Sequence, residues 1–267
     1  MYITKDNFLI SVENDFMKVT CLSSLGDRAD QQDSAGYLVT PECGTVIICD
    51  GMGGHRDGKL ASRIGVESFL DRIKNVKAGY INKDMIEYVQ DIDEDIADLK
   101  DESGNPLRAG STLVSVYIIG DELYWVSVGD SRLYILRKDE FIQVTEDHTY
   151  ELALKENIKA GEISEQFYNE EIDKSEALIS FLGAGELPII SSNDTAFKLL
   201  PEDKLVLMSD GLYKNLSDEF IKGVIMNFNN PADALSSLDL QSMKNAHKDG
   251  RRRDNLTVAL INIKKRS

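Results

Sequence analysis

Three aspartates stand where an apolar segment gives way to a glycine-containing turn. They are Asp50 after 47–49, Asp130 after 126–129, and Asp210 after 206–209. A strand fixes the direction of the side chain at its end, and glycine lets the backbone approach a ligand closely. Carboxylates that point to one place repel each other unless a cation lies between them, and oxygen ligands suit Mg²⁺ or Mn²⁺ rather than Zn²⁺. Taken singly, each aspartate is better explained as turn chemistry, but their combination favours a metal site.

Seven short motifs occur between about residue 24 and residue 262. In chain order they are Gly26-Asp-Arg28-Ala-Asp-Gln-Gln-Asp33, Asp50-Gly-Met-Gly-Gly-His55, Gly110-Ser-Thr112, Val128-Gly-Asp-Ser-Arg132, Thr145-Glu-Asp-His148, Ser209-Asp-Gly-Leu212 and Asp254-Asn-Leu-Thr-Val258. Together, and in this order, they resemble the metal-dependent protein phosphatase family, also called protein phosphatase 2C. The second motif, with the small residues of 58–62 after it, has the bacterial form and is the most specific single match.

The resemblance implies a role for each of the core acidic residues. Asp50 would bridge two metal ions, and the backbone carbonyl of Gly51 would add a ligand. Asp210 and Asp254 would complete the shell of one ion. Asp33 would lie in or just outside the shell, where it would hold metal-bound water.

Two further residues complete the implied site. Asp130 would form a third, weaker metal site together with Asp210. Arg28 would bind the substrate phosphate, because its planar guanidinium matches the phosphate oxygens. The implied cofactor is therefore Mg²⁺ or Mn²⁺, as two core ions with a third beside them.

The implied activity is that of a metal-dependent serine/threonine protein phosphatase. Two cations lower the pKa of a shared water, so that hydroxide is available near neutral pH for direct attack on phosphorus. One alternative is a regulatory module that keeps the fold with weak or no turnover, although such proteins usually lack a core aspartate and Asp50, Asp210 and Asp254 are all present. The other is a phosphatase for a small-molecule phosphate ester. A deep closed pocket would favour that alternative, and an open shallow site would favour protein substrates.

Two positions depart from the family pattern. Gln31-Gln32-Asp33 stands where the family has Asn-Glu-Asp, so a neutral Gln32 replaces the glutamate that helps to hold metal-bound water. We expect this change to weaken metal affinity without loss of catalysis. Met52 occupies the place of a histidine found in some relatives. His55 is then either a proton donor for the leaving group or a structural residue at the start of a helix.

Three other features have structural and functional interpretations. His148 is expected to organise a helix start that Asp147 or Thr145 caps. The arginines at 251–253 attract an anionic substrate, orient nearby carboxylates or form a solvated loop. The span 149–200 corresponds to a mobile flap in relatives, and here it is either variable surface or a substrate-selecting segment.

Apolar periodicity and turn signals predict the strands and helices that position these residues. The predicted strands are 17–23, 45–49, 111–119, 122–128, 132–137, 204–208 and 256–263. A glycine-rich turn is predicted from Asp50 to His55. The predicted helices are 58–74, 82–100, 149–157, 217–227 and 231–247. Short Gly-Asp connections between the central strands predict antiparallel pairing, and the whole pattern is α+β. The resemblance implies a four-layer αββα sandwich of two mainly antiparallel sheets flanked by helices.

Composition narrows the classes of function. The 267 residues carry a net charge of −16, which argues against a nucleic-acid binder. Three cysteines without a CxxC pair indicate reduced thiols. We find no signal-peptide pattern, no membrane span and no linker. We therefore expect one domain over 1–267 that is cytoplasmic and monomeric, with no membrane or nucleic-acid partner. Its expected substrates are proteins that a serine/threonine kinase has phosphorylated.

Overall fold

The described part of the chain contains 14 strands and seven α-helices. The computed structural model describes residues 2–3, 6–53 and 55–265, with the backbone alone for 2–3 and 55–56. The strands are β1 (Tyr2–Ile3), β2 (Phe8–Glu13), β3 (Met17–Ser24), β4 (Asp33–Val39), β5 (Cys43–Met52), β6 (Gly110–Ser111), β7 (Leu113–Ile119), β8 (Glu122–Val128), β9 (Arg132–Arg137), β10 (Glu140–Gln143), β11 (Ser191–Ser192), β12 (Phe197–Lys198), β13 (Lys204–Met208) and β14 (Leu256–Ile263). The helices are α1 (His55–Arg72), α2 (Ile81–Ala97), α3 (Tyr150–Ala160), α4 (Glu165–Glu171), α5 (Asp210–Tyr213), α6 (Asp218–Asn227) and α7 (Pro231–Lys248).

These strands form two antiparallel sheets. The first has the order β1-β4-β5-β7-β8-β11, with β6 paired to β5 and β12 paired to β8. The second has the order β10-β9-β13-β14-β3-β2. The register of β4 and β5 places Asp33 directly opposite Asp50. Two of the acidic residues singled out in the sequence therefore lie side by side at one end of the first sheet.

Apolar alternation within the strands explains how the sheets stack. In β5, Val46 and Ile48 belong to the cluster between the two sheets, whereas Ile47 and Cys49 pack with α1 and α2. A third cluster joins the outer face of the second sheet to α5, α6 and α7. A strand buried on both faces reads as a continuous apolar run, as 45–49 does. The layers are helix, sheet, sheet and helix, so the predicted α+β sandwich is confirmed.

Most predicted elements are present, but several predicted bounds are wrong; α1 starts at His55 rather than at 58, and α2 ends at Ala97 rather than at 100. β5 continues to Met52, so the predicted turn does not start at Asp50. The chain bends instead at Gly53, whose φ of +117° is accessible to glycine. The elements not predicted from the sequence are β1, β2, β4, β10, β11, β12, α4 and α5. β4 was missed because it starts with Asp33 and small residues rather than with an apolar run.

Two further expectations concern cysteines and membranes. All three cysteines are free, with Cys21 and Cys49 buried and Cys43 half-buried. None of the helices in the described ranges combines the length and the apolar character that crossing a bilayer requires.

Candidate active site

One cavity of about 330 Å³ collects the residues that the motifs singled out. It lies where β5 and β13 end and β14 begins. Its lining includes Arg28, Asp50, Gly51, Asp130, Asp210 and Asp254. Asp33 lies beneath it, only 4% exposed. Of the predicted site residues, six thus line one space and the seventh supports it.

Asp50 is held through its backbone by Thr112, which lies between β6 and β7. Its N–H donates to Thr112 Oγ1 at 2.9 Å, and its carbonyl accepts from the Thr112 N–H at 2.8 Å. The next residue, Gly51, packs directly on α1, since a Cβ there would lie 2.1 Å from the carbonyl oxygen of Gly58. Only glycine permits this approach. These contacts therefore fix the backbone from which the Asp50 carboxylate and the Gly51 carbonyl project.

Asp33 carries an unsatisfied acceptor. Its Oδ2 accepts a hydrogen bond from Ser209 Oγ at 2.8 Å, while its Oδ1 is buried without a partner among the described residues. Buried polar atoms are normally paired, because an unpaired one loses its hydration without compensation. An orphaned oxygen at this position fits a bound cation or a water molecule that a cation holds. The all-oxygen donor set around it fits Mg²⁺ or Mn²⁺.

The turns that carry Asp210 and Asp254 pack against each other. A Cβ on Gly211 would lie 1.9 Å from the carbonyl oxygen of Asn255, so the two segments approach more closely than any larger residue allows. The Asn255 side chain accepts from the Gln32 N–H and donates to the Leu25 carbonyl, both at 2.8 Å. This asparagine therefore ties the Asp254 turn to the loop that contains Arg28.

Burial and repulsion raise the pKa values of three carboxyls in the site. Burial raises the pKa of Asp33 to about 7, and the charges of Asp210 and Asp254 add to this shift. Burial also raises the pKa of Asp130 to about 6, with Asp210 as the main repelling charge. The pKa of Asp50 lies well above its usual range, because burial combines with repulsion from Asp33 and Asp210. A bound cation would relieve this repulsion.

Basic side chains already offset part of the negative charge. Arg28 donates to Oδ2 of Asp254, and Lys214 Nζ lies 3.0 Å from Oδ2 of Asp210. Within the described ranges, no three Asp, Glu, His or Cys side chains converge into a ready-made metal cage. Cation binding would therefore require these side chains to adjust from the pairings that they make here.

Asp33→Asn is expected to stabilise the metal-free protein increasingly as the pH rises. An unfolded aspartate has a pKa near 3.9, and the folded pKa of Asp33 is about 7. The stability that this carboxyl contributes is complete below about pH 4 and is lost as the pH rises through about 7. Asparagine does not ionise, so the unfolding free energy of the variant should rise relative to that of wild type between about pH 4 and pH 7 and then level off.

Urea unfolding in EDTA at several pH values measures this difference. The titration of His148 is common to both proteins and cancels. Asp71→Asn is the matched control, because the Asp71 side chain is 81% exposed on α1, and its effect should not vary in this way. A pH-independent difference for Asp33→Asn would contradict the buried, raised-pKa carboxyl.

The two glutamines before Asp33 have different environments. Gln31 is buried, and its amide donates to Ser23 Oγ at 2.9 Å while its carbonyl oxygen accepts from the Asp33 N–H at 3.0 Å. Gln32 lines the cavity. Only Gln32 is therefore positioned to influence a bound cation.

We expect Gln32→Glu to lower the Mn²⁺ concentration for half-maximal activity by roughly tenfold, because it adds a negative charge beside the site. A Mn²⁺ titration of phosphatase activity measures the change. Gln31→Glu is the neighbouring control, and it should destabilise the fold without improving metal affinity, because its carboxylate cannot donate to Ser23. An unchanged titration for Gln32→Glu would exclude a role for this position in metal binding.

The predicted role of His148 is wrong in one respect. Neither Asp147 nor Thr145 caps α3, whose N-cap residue Thr149 makes no side-chain capping bond; Asp147 instead pairs with Arg132 at 2.6 Å. His148 Nδ1 accepts from the Gly129 N–H at 3.2 Å, so its Nε2 carries the proton that faces Ser191. Burial lowers its pKa to about 4. A neutral His148 therefore fixes the turn that presents Asp130.

The arginine run divides between buried and exposed positions. Arg253 is fully buried and pairs with Asp239 and Ser24. Arg251 and Arg252 are exposed and contact Asp249 and the Asp27 carbonyl. Arg253 thus anchors the segment just before Asp254, which agrees with a positioning role and not with a wholly solvated loop. The side chain of His55 lies outside the described residues.

Four residues with no role assigned from the sequence shape the site, namely Thr112, Ser209, Asn255 and Lys214. The first three belong to the motifs quoted above, so membership in a motif was the available signal. Lys214 follows Asp210 by four residues, a spacing that brings opposite charges together on a helix. That signal was not used because the short helix α5 was not predicted.

The chain is similar in sequence and in fold to several known proteins. The family model "Protein phosphatase 2C" matches residues 23–243. Protein phosphatase PhpP of Streptococcus pneumoniae is 28% identical over 92% of this chain and 98% of its own length. The serine/threonine phosphatase of S. agalactiae superposes with a TM-score of 0.77 at 26% identity, over 92% of this chain and 98% of its own. The catalytic domain of the phosphatase PstP in complex with 2 manganese ions superposes with a TM-score of 0.72 at 23% identity, over 94% and 99% of the two chains.

Proposed function

This chain belongs to the protein phosphatase 2C family, and we propose that it is a metal-dependent serine/threonine protein phosphatase. The observation that carries the proposal is the convergence of Arg28 with Asp50, Asp210 and Asp254 on one cavity. Metal-assisted hydrolysis of a phosphate ester needs carboxylates that hold the metal ions and a positively charged side chain, here Arg28, that binds the phosphate.

We propose the following roles for the acidic residues. Asp50 and the Gly51 carbonyl would contribute to two core cations, and Asp210 and Asp254 would complete the donor set. Asp33, whose Oδ1 has no partner among the described residues, would hold a water molecule at the edge of this donor set. Bound there, the cations would lower the pKa of a water ligand and offset charge on the phosphoryl oxygens.

Arg28 would bind and orient the phosphate of the substrate. Its guanidinium donates to Asp254 at the mouth of the cavity, and its fork geometry suits two phosphate oxygens at once. Exchange of the Asp254 carboxylate for phosphate would leave Asp254 available to a cation. Arg28 thereby couples substrate binding to the metal site.

The exposure of this site favours a protein substrate over a small molecule. The side chains of Arg28 and Asp254 are 55% and 40% exposed. An enzyme for a small ester usually encloses most of its ligand, whereas a phosphoserine or phosphothreonine on a protein surface must reach an open site. The intact core aspartates argue against a regulatory module without turnover.

The remaining expectations are part of the same proposal. Either Mg²⁺ or Mn²⁺ suits the oxygen donors. We propose a cytoplasmic, monomeric, single-domain enzyme that opposes a serine/threonine kinase, with neither nucleic acid nor membrane as a partner.

Hydrolysis of p-nitrophenyl phosphate and of a phosphothreonine peptide tests the proposal. Wild type should be inactive in EDTA and active with Mn²⁺ or Mg²⁺, and Asp210→Asn should be inactive throughout. A wild type that binds Mn²⁺ and hydrolyses neither substrate would support the regulatory module. Hydrolysis of small esters without any turnover of phosphopeptides would support the small-molecule alternative.

A further inference from the structure

Lys214 occupies a central position between the acidic residues and the segment 149–200. Its Nζ lies 3.0 Å from Oδ2 of Asp210 and 3.1 Å from Oε2 of Glu176. The Lys214 side chain lines the cavity described above, and it also lines a neighbouring cavity of about 520 Å³. Asp130 lines both cavities as well. The ammonium therefore lies at the boundary where the resemblance implies a third cation.

The residues around Asp130 do not fit that third cation. The Tyr213 hydroxyl oxygen lies 3.0 Å from Oδ2 of Asp130 and 3.1 Å from the Asp130 carbonyl oxygen, so its one proton is shared between these two acceptors. One carboxylate oxygen of Asp130 and one of Asp210 are thus each occupied by a protein donor. A divalent ion shared by these carboxylates would also lie close to a fixed positive charge, which opposes its binding.

We propose that the Lys214 ammonium replaces the third cation and that, through Glu176, it fastens the 149–200 segment at the edge of the metal cavity. This inference rests on the proposed function, since it concerns the same site. A lysine supplies a single permanent charge on a flexible stem. The site would then hold its local charge balance without a third ion, and two cations would be the full complement.

Glu176 links Lys214 to the 149–200 segment. Glu176 and Leu178 line the metal cavity, and the backbone nearby is joined to the start of α3 by the Tyr150 N–H, which donates to the Ala177 carbonyl at 2.8 Å. The Lys214–Glu176 pair therefore connects the end of α5, which carries Asp210, to the segment that borders the metal cavity. Lys214 acts here as a positioning residue.

The test counts bound ions and does not depend on turnover. Mn²⁺ stoichiometry is measured by isothermal titration and by electron paramagnetic resonance of free Mn²⁺, up to millimolar Mn²⁺. The proteins are wild type, Lys214→Met, which keeps most of the stem without the charge, and Lys214→Arg, which keeps the charge. We expect wild type and Lys214→Arg to bind two ions per chain and Lys214→Met to bind one more.

A second readout follows the 149–200 segment by limited proteolysis in the presence of Mn²⁺. Lys214→Met and Glu176→Gln should both increase cleavage within this segment relative to wild type, and Lys214→Arg should not. A third ion on wild type, or an unchanged stoichiometry in a folded Lys214→Met protein, would overturn the inference. Thermal unfolding establishes that each variant is folded.

Phosphatase activity is assayed on the same samples to separate this inference from the proposed function. A wild type that binds two ions and hydrolyses no substrate would reject the proposed function and support the ion count inferred here. An active wild type that binds three ions would overturn the inference and leave the proposed function supported.

Discussion

Asp50→Asn is expected to lower kcat/KM on a phosphothreonine peptide by at least about a thousandfold at saturating Mn²⁺. Asp50 would contribute to both core cations, so its loss would affect both at once. An asparagine has nearly the same shape and keeps one carbonyl oxygen, but it supplies no negative charge. The expected loss therefore tests the charge of this side chain rather than its volume.

Stability measurements separate this loss of function from a loss of fold. The pKa of Asp50 is raised by burial and by neighbouring carboxylates, so removing its charge should not destabilise the metal-free protein near neutral pH. Wild type should gain about 2.7 kcal/mol for each bound Mn²⁺ ion at a hundredfold excess over its Kd, and Asp50→Asn should lose most of this gain. Asp71→Asn should behave as wild type in both assays. An Asp50→Asn protein with near-normal activity would reject the assigned metal site.

Local sequence signals sufficed for the parts of the site that depend on local structure. Asp50 and Asp210 follow apolar segments and precede glycine, and both line the cavity near the ends of β5 and β13. The same reasoning predicted β13 and β14 with the bounds that the structure has. A buried apolar run favours a strand over a helix when it is short, rich in β-branched residues and bounded by turns.

Two features of the site depend on contacts between residues that are distant in the chain, and they could not be predicted from the sequence. The position of Asp33 depends on the register of β4 against β5, and β4 carries no strong strand pattern. The partnership of Lys214 with Glu176 joins residues far apart in the chain. Neither contact follows from spacing, because each is set by how the sheets and the 149–200 segment pack in three dimensions.

The second large effect is expected at Arg28, which the structure places on the open side of the metal cavity. Arg28→Ala should lower kcat/KM for the phosphopeptide by roughly 10- to 100-fold, because charge-assisted hydrogen bonds contribute about 1.5–3 kcal/mol. Arg28→Lys should recover part of this loss, since it restores the charge without the planar fork. Steady-state kinetics at saturating Mn²⁺ measure both variants.

The metal dependence of the same variants identifies the cause of the loss. Arg28 pairs with Asp254 at the surface, with both side chains more than a third exposed, so Arg28→Ala should change stability little. It should also free Asp254, and the Mn²⁺ concentration for half-maximal activity should fall or stay the same. A phosphate-binding arginine thus predicts weaker catalysis with undiminished metal affinity. If Arg28→Ala instead raised the Mn²⁺ requirement in proportion to the loss of activity, Arg28 would act by positioning Asp254 and not by binding phosphate.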